Sequence, residues 1–169
     1  MAPDRLPDLL CPGLKLVFVG TAASRISAAR GAYYANPGNR FWRTLFEVGL
    51  TPRLFAPEDW PRLADLGIGL TDFSKTGAGM DHEIDPDSFD VAGFNAKIAV
   101  ANPKAIAFTS KRGASLWSGR PTGAIALGLQ PPRAGHPVVF VLCSPSGRAG
   151  TYWQVEPWRA LGAWFQARP

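Results

Sequence analysis

Cysteine and histidine are scarce in this chain of 169 residues, with two of each. Cys11 and Cys143 stand alone and no C-x-x-C pair exists, so neither a zinc or iron–sulfur site nor any other cofactor is expected. Without a signal peptide, two such residues read as reduced thiols of a cytoplasmic protein. No run approaches the ~20 consecutive apolar residues that a membrane-spanning helix needs. Charged residues make up only 18% of the chain against 46% hydrophobic, which excludes a disordered segment. Repeats, low-complexity tracts and linkers are missing too, and one domain over residues 1–169 is expected.

What is present is aromatic and basic. Six Trp and ten Phe can fill one core and leave rings for stacking on a planar ligand. Lys and Arg outnumber Asp and Glu by 18 to 13, a net charge of +5. That balance favours an anionic partner such as nucleic acid. The basic residues are mainly arginine, whose guanidinium bonds two phosphate oxygens at once.

Along the chain, residues 1–13 hold three prolines and are expected to wrap the surface. Lys15–Gly20 reads as a buried strand, β-branched and closed by glycine. Thr21 to Asn39 shows no period and reads as a long loop. Asn39–Val48 has helical spacing, and Pro57–Leu66 suggests a second short helix. Further strands are expected at Ile68–Asp72, Lys104–Thr109, Ala124–Leu129 and Val138–Cys143. Further helices are expected at Asp87–Ala101, Lys111–Trp117 and Glu156–Ala167, the last with Pro157 in its first turn. Alternating strands and helices predict an α/β fold, a three-layer α/β/α sandwich around a central, mostly parallel sheet. Loops 20–39, 72–83 and 144–150 then meet along the carboxyl edge of that sheet, where ligands sit in open α/β folds.

Four segments carry a resemblance. Cys11-Pro12-Gly13-Leu14 runs into the first strand and Gly20. Tyr34-Ala35-Asn36-Pro37-Gly38-Asn39-Arg40-Phe41-Trp42 is similar to an H-P-x-N-x-F-W element, with Asn36 in place of His. Gly67–Asp72 is similar to G-x-x-x-T-D. Ser144-Pro145-Ser146-Gly147 is similar to N-P-S-G, with Ser144 in place of Asn. In this order and separation they resemble the mismatch-specific uracil/thymine-DNA glycosylases of the uracil-DNA glycosylase superfamily. The resemblance implies that superfamily's fold and base excision: hydrolysis of the bond between a damaged base and its sugar. The implied partner is uracil-containing DNA and the implied product is free uracil.

The chain departs from the family where the family's chemistry resides. After the first strand relatives carry G-I-N-P-G, whose Asn positions the attacking water, or Asp at the same place. Here the segment is Gly20-Thr21-Ala22-Ala23-Ser24, and Ala22 has no polar side chain. Excision needs the base flipped into a pocket, an aromatic face, donors at the base oxygens and a group that positions water. Asp72 is the first candidate for that group, its alternative role being a helix cap or turn residue. Asn39 is the second. It matches a position that appears catalytic in a hypoxanthine-acting branch sharing Y-Y-A-x-P-x-N-x-F-W, and it also suits a helix cap.

The implied base pocket comprises Gly20, Thr21, Ala22, Tyr34, Asn36 and Ser144. Tyr34 would stack on the flipped base, or with Tyr33 pack the loop on the core. Ser146, Gly147 and Arg148 would press on the DNA. Arg148 stands where relatives commonly carry Leu, so single-stranded or poorly paired DNA is the expected substrate. Lys111 and Arg112 would face phosphates, with Arg25, Arg30, Arg40 and Arg43 adding to the footprint. His82, between Asp81 and Glu83, could assist a leaving group or stand in solvent. Lys75 is the lysine of these loops, and a Schiff-base lyase step is not expected. The reading is a monomeric, monofunctional uracil-DNA glycosylase. Two others stay open: a catalytically inactive nucleic-acid-binding module of the same fold, and a glycosylase for hypoxanthine or xanthine.

Overall fold

The computed structural model describes residues 3–168; Met1, Ala2 and Pro169, part of the expected single domain, lie outside them. Five strands form one sheet in the order β2-β1-β3-β5-β4. They are β1 (Leu16–Ala23), β2 (Ile68–Ala78), β3 (Ala105–Phe108), β4 (Gly128–Leu129) and β5 (Val138–Val141). All neighbours are parallel except β4, which runs antiparallel to β5. The helices are α1 (Arg25–Arg30), α2 (Phe41–Glu47), α3 (Val91–Ala101), α4 (Lys111–Ser118) and α5 (Glu156–Gln166).

Strand alternation sorts β1 between two cores. Leu16 and Phe18 join Phe41, Leu45, Trp158 and Leu161, under α2 and α5. Val17 and Val19 face Phe94, Ile98 and Ala114, under α3 and α4. That is the three-layer α/β/α sandwich expected from the sequence.

Several boundaries move, each for a local reason. The stretch after Gly20 is not all loop: β1 continues to Ala23 and α1 follows. Ser24 caps α1 by accepting the Ser27 N–H at 3.0 Å, and Gly31 ends it at φ 65°. Six residues are too few to display a helical period. Strand β2 runs past Asp72 to Ala78, and Asp72 lies inside it. Pro57–Leu66 is a 3₁₀ helix. Helix α3 begins after Asp90, whose carboxylate accepts the Gly93 N–H, while Asp87 belongs to a separate 3₁₀ turn. The strand expected at 124–129 shrinks to Gly128–Leu129.

The N-terminal segment does more than wrap the surface. Leu9 forms an antiparallel bridge with Leu70, and Arg5 N–H donates to Lys75 O at 2.7 Å. It thereby covers the outer edge of β2. Leu6, 1% exposed, enters the core, and Asp8 pairs with Lys75 at 2.8 Å and Lys97 at 3.0 Å.

Candidate active site

A cleft of about 960 Å³ opens at the carboxyl edge of the sheet. Its floor exists because β1 outruns β3. Their ladder ends at Val19↔Phe108, with a last bond from Thr109 N–H to Val19 O at 3.0 Å. In a parallel ladder alternate residues turn their N–H and C=O to the same neighbour. Thr21 is therefore the next residue facing β3, and its N–H makes no backbone bond there. Its hydroxyl lies 3.3 Å from Ser110 Oγ, the cap of α4.

Across the floor, Gly20 is in register with Asp72 of β2. Asp72 is 4% exposed, and its carboxylate has no hydrogen-bond or ion-pair partner among the described residues. A Cβ placed on Gly20 would lie 2.5 Å from Asp72 Oδ1 and 3.1 Å from Tyr34 Oη. Glycine thus leaves a gap between carboxylate and phenol. Burial pushes the Asp72 carboxyl up to about 6, against the pull of Lys75 and Lys97 and with added repulsion from Asp8. Asp8 behaves oppositely. Burial raises it too, but hydrogen bonds from Lys75 and Thr71 and the charges of Lys75 and Lys97 hold it below the usual carboxylate range.

One wall is the segment from Ala32 to Arg40. Tyr34 sits at φ 52°, a left-handed conformation that costs a non-glycine residue about 1–2 kcal/mol. Two contacts hold it: its ring stacks on Phe41 at 3.9 Å, and its hydroxyl bonds Thr109 Oγ1 at 3.2 Å. One ring face lies on Phe41, and Tyr34 lines the cleft. Burial raises the phenol above its ordinary range, so it stays neutral. Asn39 Oδ1 accepts the Phe41 N–H at 2.9 Å at the start of α2. A backbone N–H requires an acceptor, so the side-chain NH2 is left for the cleft, which Asn39 lines. Asn36 is exposed at the mouth and accepts the Gly38 N–H.

The facing wall is the turn after β5. Arg40 N–H donates to Pro145 O at 2.7 Å, and a Cβ on Gly147 would meet Gly38 O at 2.9 Å. The two motif loops are thus clamped backbone to backbone. Ser144 Oγ accepts the Ser146 N–H, and Ser146 Oγ accepts the Arg148 N–H. Arg148 is exposed at the rim. Opposite, Arg25 pairs with Glu83 at 2.8 Å, and His82 stands in solvent.

The structure therefore brings together Gly20, Thr21, Ala22, Tyr34, Asn36, Asn39, Asp72, Ser144, Ser146, Gly147 and Arg148 around one cleft. The structure places Asp72 inside β2, not at a cap or turn, and among the described residues its carboxylate bonds no backbone N–H. Asn39 stands one residue before the N-cap Arg40, and its bond from the Phe41 N–H still serves the first turn of α2; Tyr34 both packs the loop and lines the cleft. Lys111 and Arg112 open α4 directly after Ser110 and are not among the residues that line the cleft. Arg30 is spent on Glu58 and Ala35 O, and Lys75 faces Asp8 and Tyr33. Thr109 and Ser110, which follow a fourth parallel strand, also line the cleft, and no motif in the sequence marks them.

Two comparisons bear on the fold and the family. A candidate uracil DNA glycosylase of Methanosarcina acetivorans, solved in solution by NMR, superposes with a TM-score of 0.67 at 25% identity, covering 95% of this chain and 96% of that one. Residues 7–164 match the profile of the Uracil DNA glycosylase superfamily. The fold of a solved glycosylase-like structure and the superfamily profile coincide in one chain, and this protein belongs to the uracil DNA glycosylase superfamily.

Proposed function

We propose that this protein is a monofunctional uracil-DNA glycosylase in which Asp72 takes over the water-positioning role that Ala22 cannot fill. The observation that carries this is the Asp72 carboxylate: buried in the cleft floor, without a partner among the described residues, and beside the gap left by Gly20. Burying a carboxylate without a partner is unfavourable, and such groups concentrate at sites of chemistry.

The free face of Tyr34 receives the flipped base. The Thr21 N–H and the Asn39 NH2 donate to base oxygens, where negative charge builds as the bond breaks. Asp72, ionised above about pH 6, accepts a proton from water as the water oxygen bonds C1′. The C1′–N1 electron pair leaves with the uracil, and the sugar keeps the hydroxyl. The same carboxylate offsets the positive charge on the sugar. Lys75, held by Asp8 and Tyr33, supplies no amine to C1′, so the backbone is left uncut. The enzyme acts as a monomer, without cofactor, and favours single-stranded DNA, since Arg148 is a poor apolar wedge and unstacking a paired base costs more.

Hypoxanthine is the second reading, favoured by Ala22: a methyl group on the floor leaves room for a purine. The test is alkali-dependent cleavage of oligonucleotides with one uracil or one hypoxanthine, single-stranded and paired. Cleavage at uracil, fastest in the single strand and lost in Asp72→Asn, is the expected outcome. Cleavage at hypoxanthine alone moves the substrate to a purine. DNA binding without cleavage of either assigns the chain a binding role.

A further inference from the structure

We infer that Tyr152 is a stacking platform for a DNA base neighbouring the target nucleotide. This rests on the reading of the cleft as a DNA site.

Tyr152 ends the 3₁₀ turn Gly147–Tyr152 on the cleft wall and is 78% exposed. Among the described residues its ring has no aromatic partner. The other large exposed apolar side chains of comparable exposure, such as Val100 and Leu129, lie off the cleft. The turn that carries Tyr152 is fixed at both ends. Ser146 Oγ accepts the Arg148 N–H at 3.3 Å. Trp153 is turned inward, its ring 5.9 Å from Trp158 and 5.3 Å from the Arg40 guanidinium. Neighbouring aromatic residues thus separate: Trp153 packs inward, and Tyr152 stands out from the turn.

The occupant follows from the surroundings. Arg148 lies on the same turn, exposed and without an ion-pair partner among the described residues, and can hold a phosphate of the strand whose base stacks on Tyr152. Ile26 and Met80, both partly exposed, face the cleft from the opposite wall. An aromatic ring beside an arginine on a net positive chain fits single-stranded nucleic acid, where base–aromatic stacking is tolerant of sequence.

The test reads binding, not excision. Anisotropy titrations of the full chain use a labelled single-stranded oligonucleotide of ordinary bases, at several salt concentrations, with Tyr152→Phe, Tyr152→Ala and Arg148→Ala. Tyr152→Phe should bind as the wild type does. Tyr152→Ala should bind roughly 5- to 150-fold more weakly, with the salt slope unchanged and the same melting temperature, since the ring is exposed. Arg148→Ala should lower the slope by about 0.7. Tyr152→Ala binding as tightly as the wild type, or Tyr152→Phe as weak as Tyr152→Ala, overturns the platform, and so does a wild type that binds no DNA. Because the probe carries no uracil, a protein that shows the Tyr152 effect yet excises nothing refutes only the glycosylase reading.

Discussion

Gly20 and Asp72 face each other in register across β1 and β2, and Asp72 Oδ1 lies 2.5 Å from where a Gly20 Cβ would be. No side chain larger than hydrogen fits without moving the carboxylate. Gly20→Ala should therefore fold, with overpacking costing about 1–3 kcal/mol. Excision should fall by about a hundredfold, since a shift of about 1 Å in a reacting group has that effect. Single-turnover rates beside a thermal melt check both, and an unimpaired rate would show that the gap plays no part in the chemistry.

The buried carboxylate should trade stability for activity. Its folded value of about 6 lies above the 3.8 of an unperturbed Asp. The native state therefore holds the proton more tightly than the unfolded chain. Stability falls as pH rises from about 4 to about 6, by roughly 3 kcal/mol from this group alone. Asp72→Asn removes that penalty. The variant should match the wild type near pH 4, melt higher at pH 8, and lose at least a hundredfold in excision rate. Melts at both pH values beside one activity assay test the two halves together.

The same group sets the pH profile of the reaction. If the ionised form takes the proton from water, the single-turnover rate should rise tenfold per pH unit below about 6 and level off above it. Whatever rate remains in Asp72→Asn should be flat over that range. A wild-type profile without a break near 6 would assign the base to another residue.

Asp8 tunes Asp72 from a distance. Its charge pushes the Asp72 carboxyl up, and it pairs with the two lysines that pull it down. Asp8→Asn removes the repulsion and frees both lysines, so the break in the pH–rate profile should move below 6. The variant should also be less stable at neutral pH. The carboxyl of Asp8 is held low, so its stabilising contribution is present above the usual Asp range and lost as pH falls through it. An unshifted break would mean that the lysine charges do not reach the cleft.

Strand and helix alternation was enough to read the layers, because the buried strands carry runs such as Val138–Cys143 that nothing else explains. The motif loops were legible through Asn39, Tyr34 and Ser144, whose spacing survives in the fold. What escaped depended on contacts distant in sequence. Nothing local in Asp8 announces two lysines at positions 75 and 97, or that Leu6 belongs to the core. The extension of β2 beyond Asp72 was hidden by Ser74, Lys75, Thr76 and Gly77, polar or small residues that resemble a loop until β1 and the N-terminal segment pair with them. Asp72 therefore reads as a loop or turn residue in the sequence and lies inside a strand in the structure.

Asn39 allows capping and chemistry to be separated by one atom. Its Oδ1 takes the Phe41 N–H at 2.9 Å, which leaves the NH2 for the base. Asn39→Asp keeps an oxygen for the helix and adds a charge that the helix N-terminus favours, but replaces the donor by an anion facing a departing anion. Its melting temperature should hold while excision drops by about 10²–10³, the effect of losing one donor to developing charge. Asn39→Ala loses the cap as well and should cost about 1 kcal/mol, a fall of about 2–4 °C for a domain of this size. If Asn39→Asp excises as fast as the wild type, the residue is a cap alone, and Thr21 N–H is left to receive the charge of the leaving base.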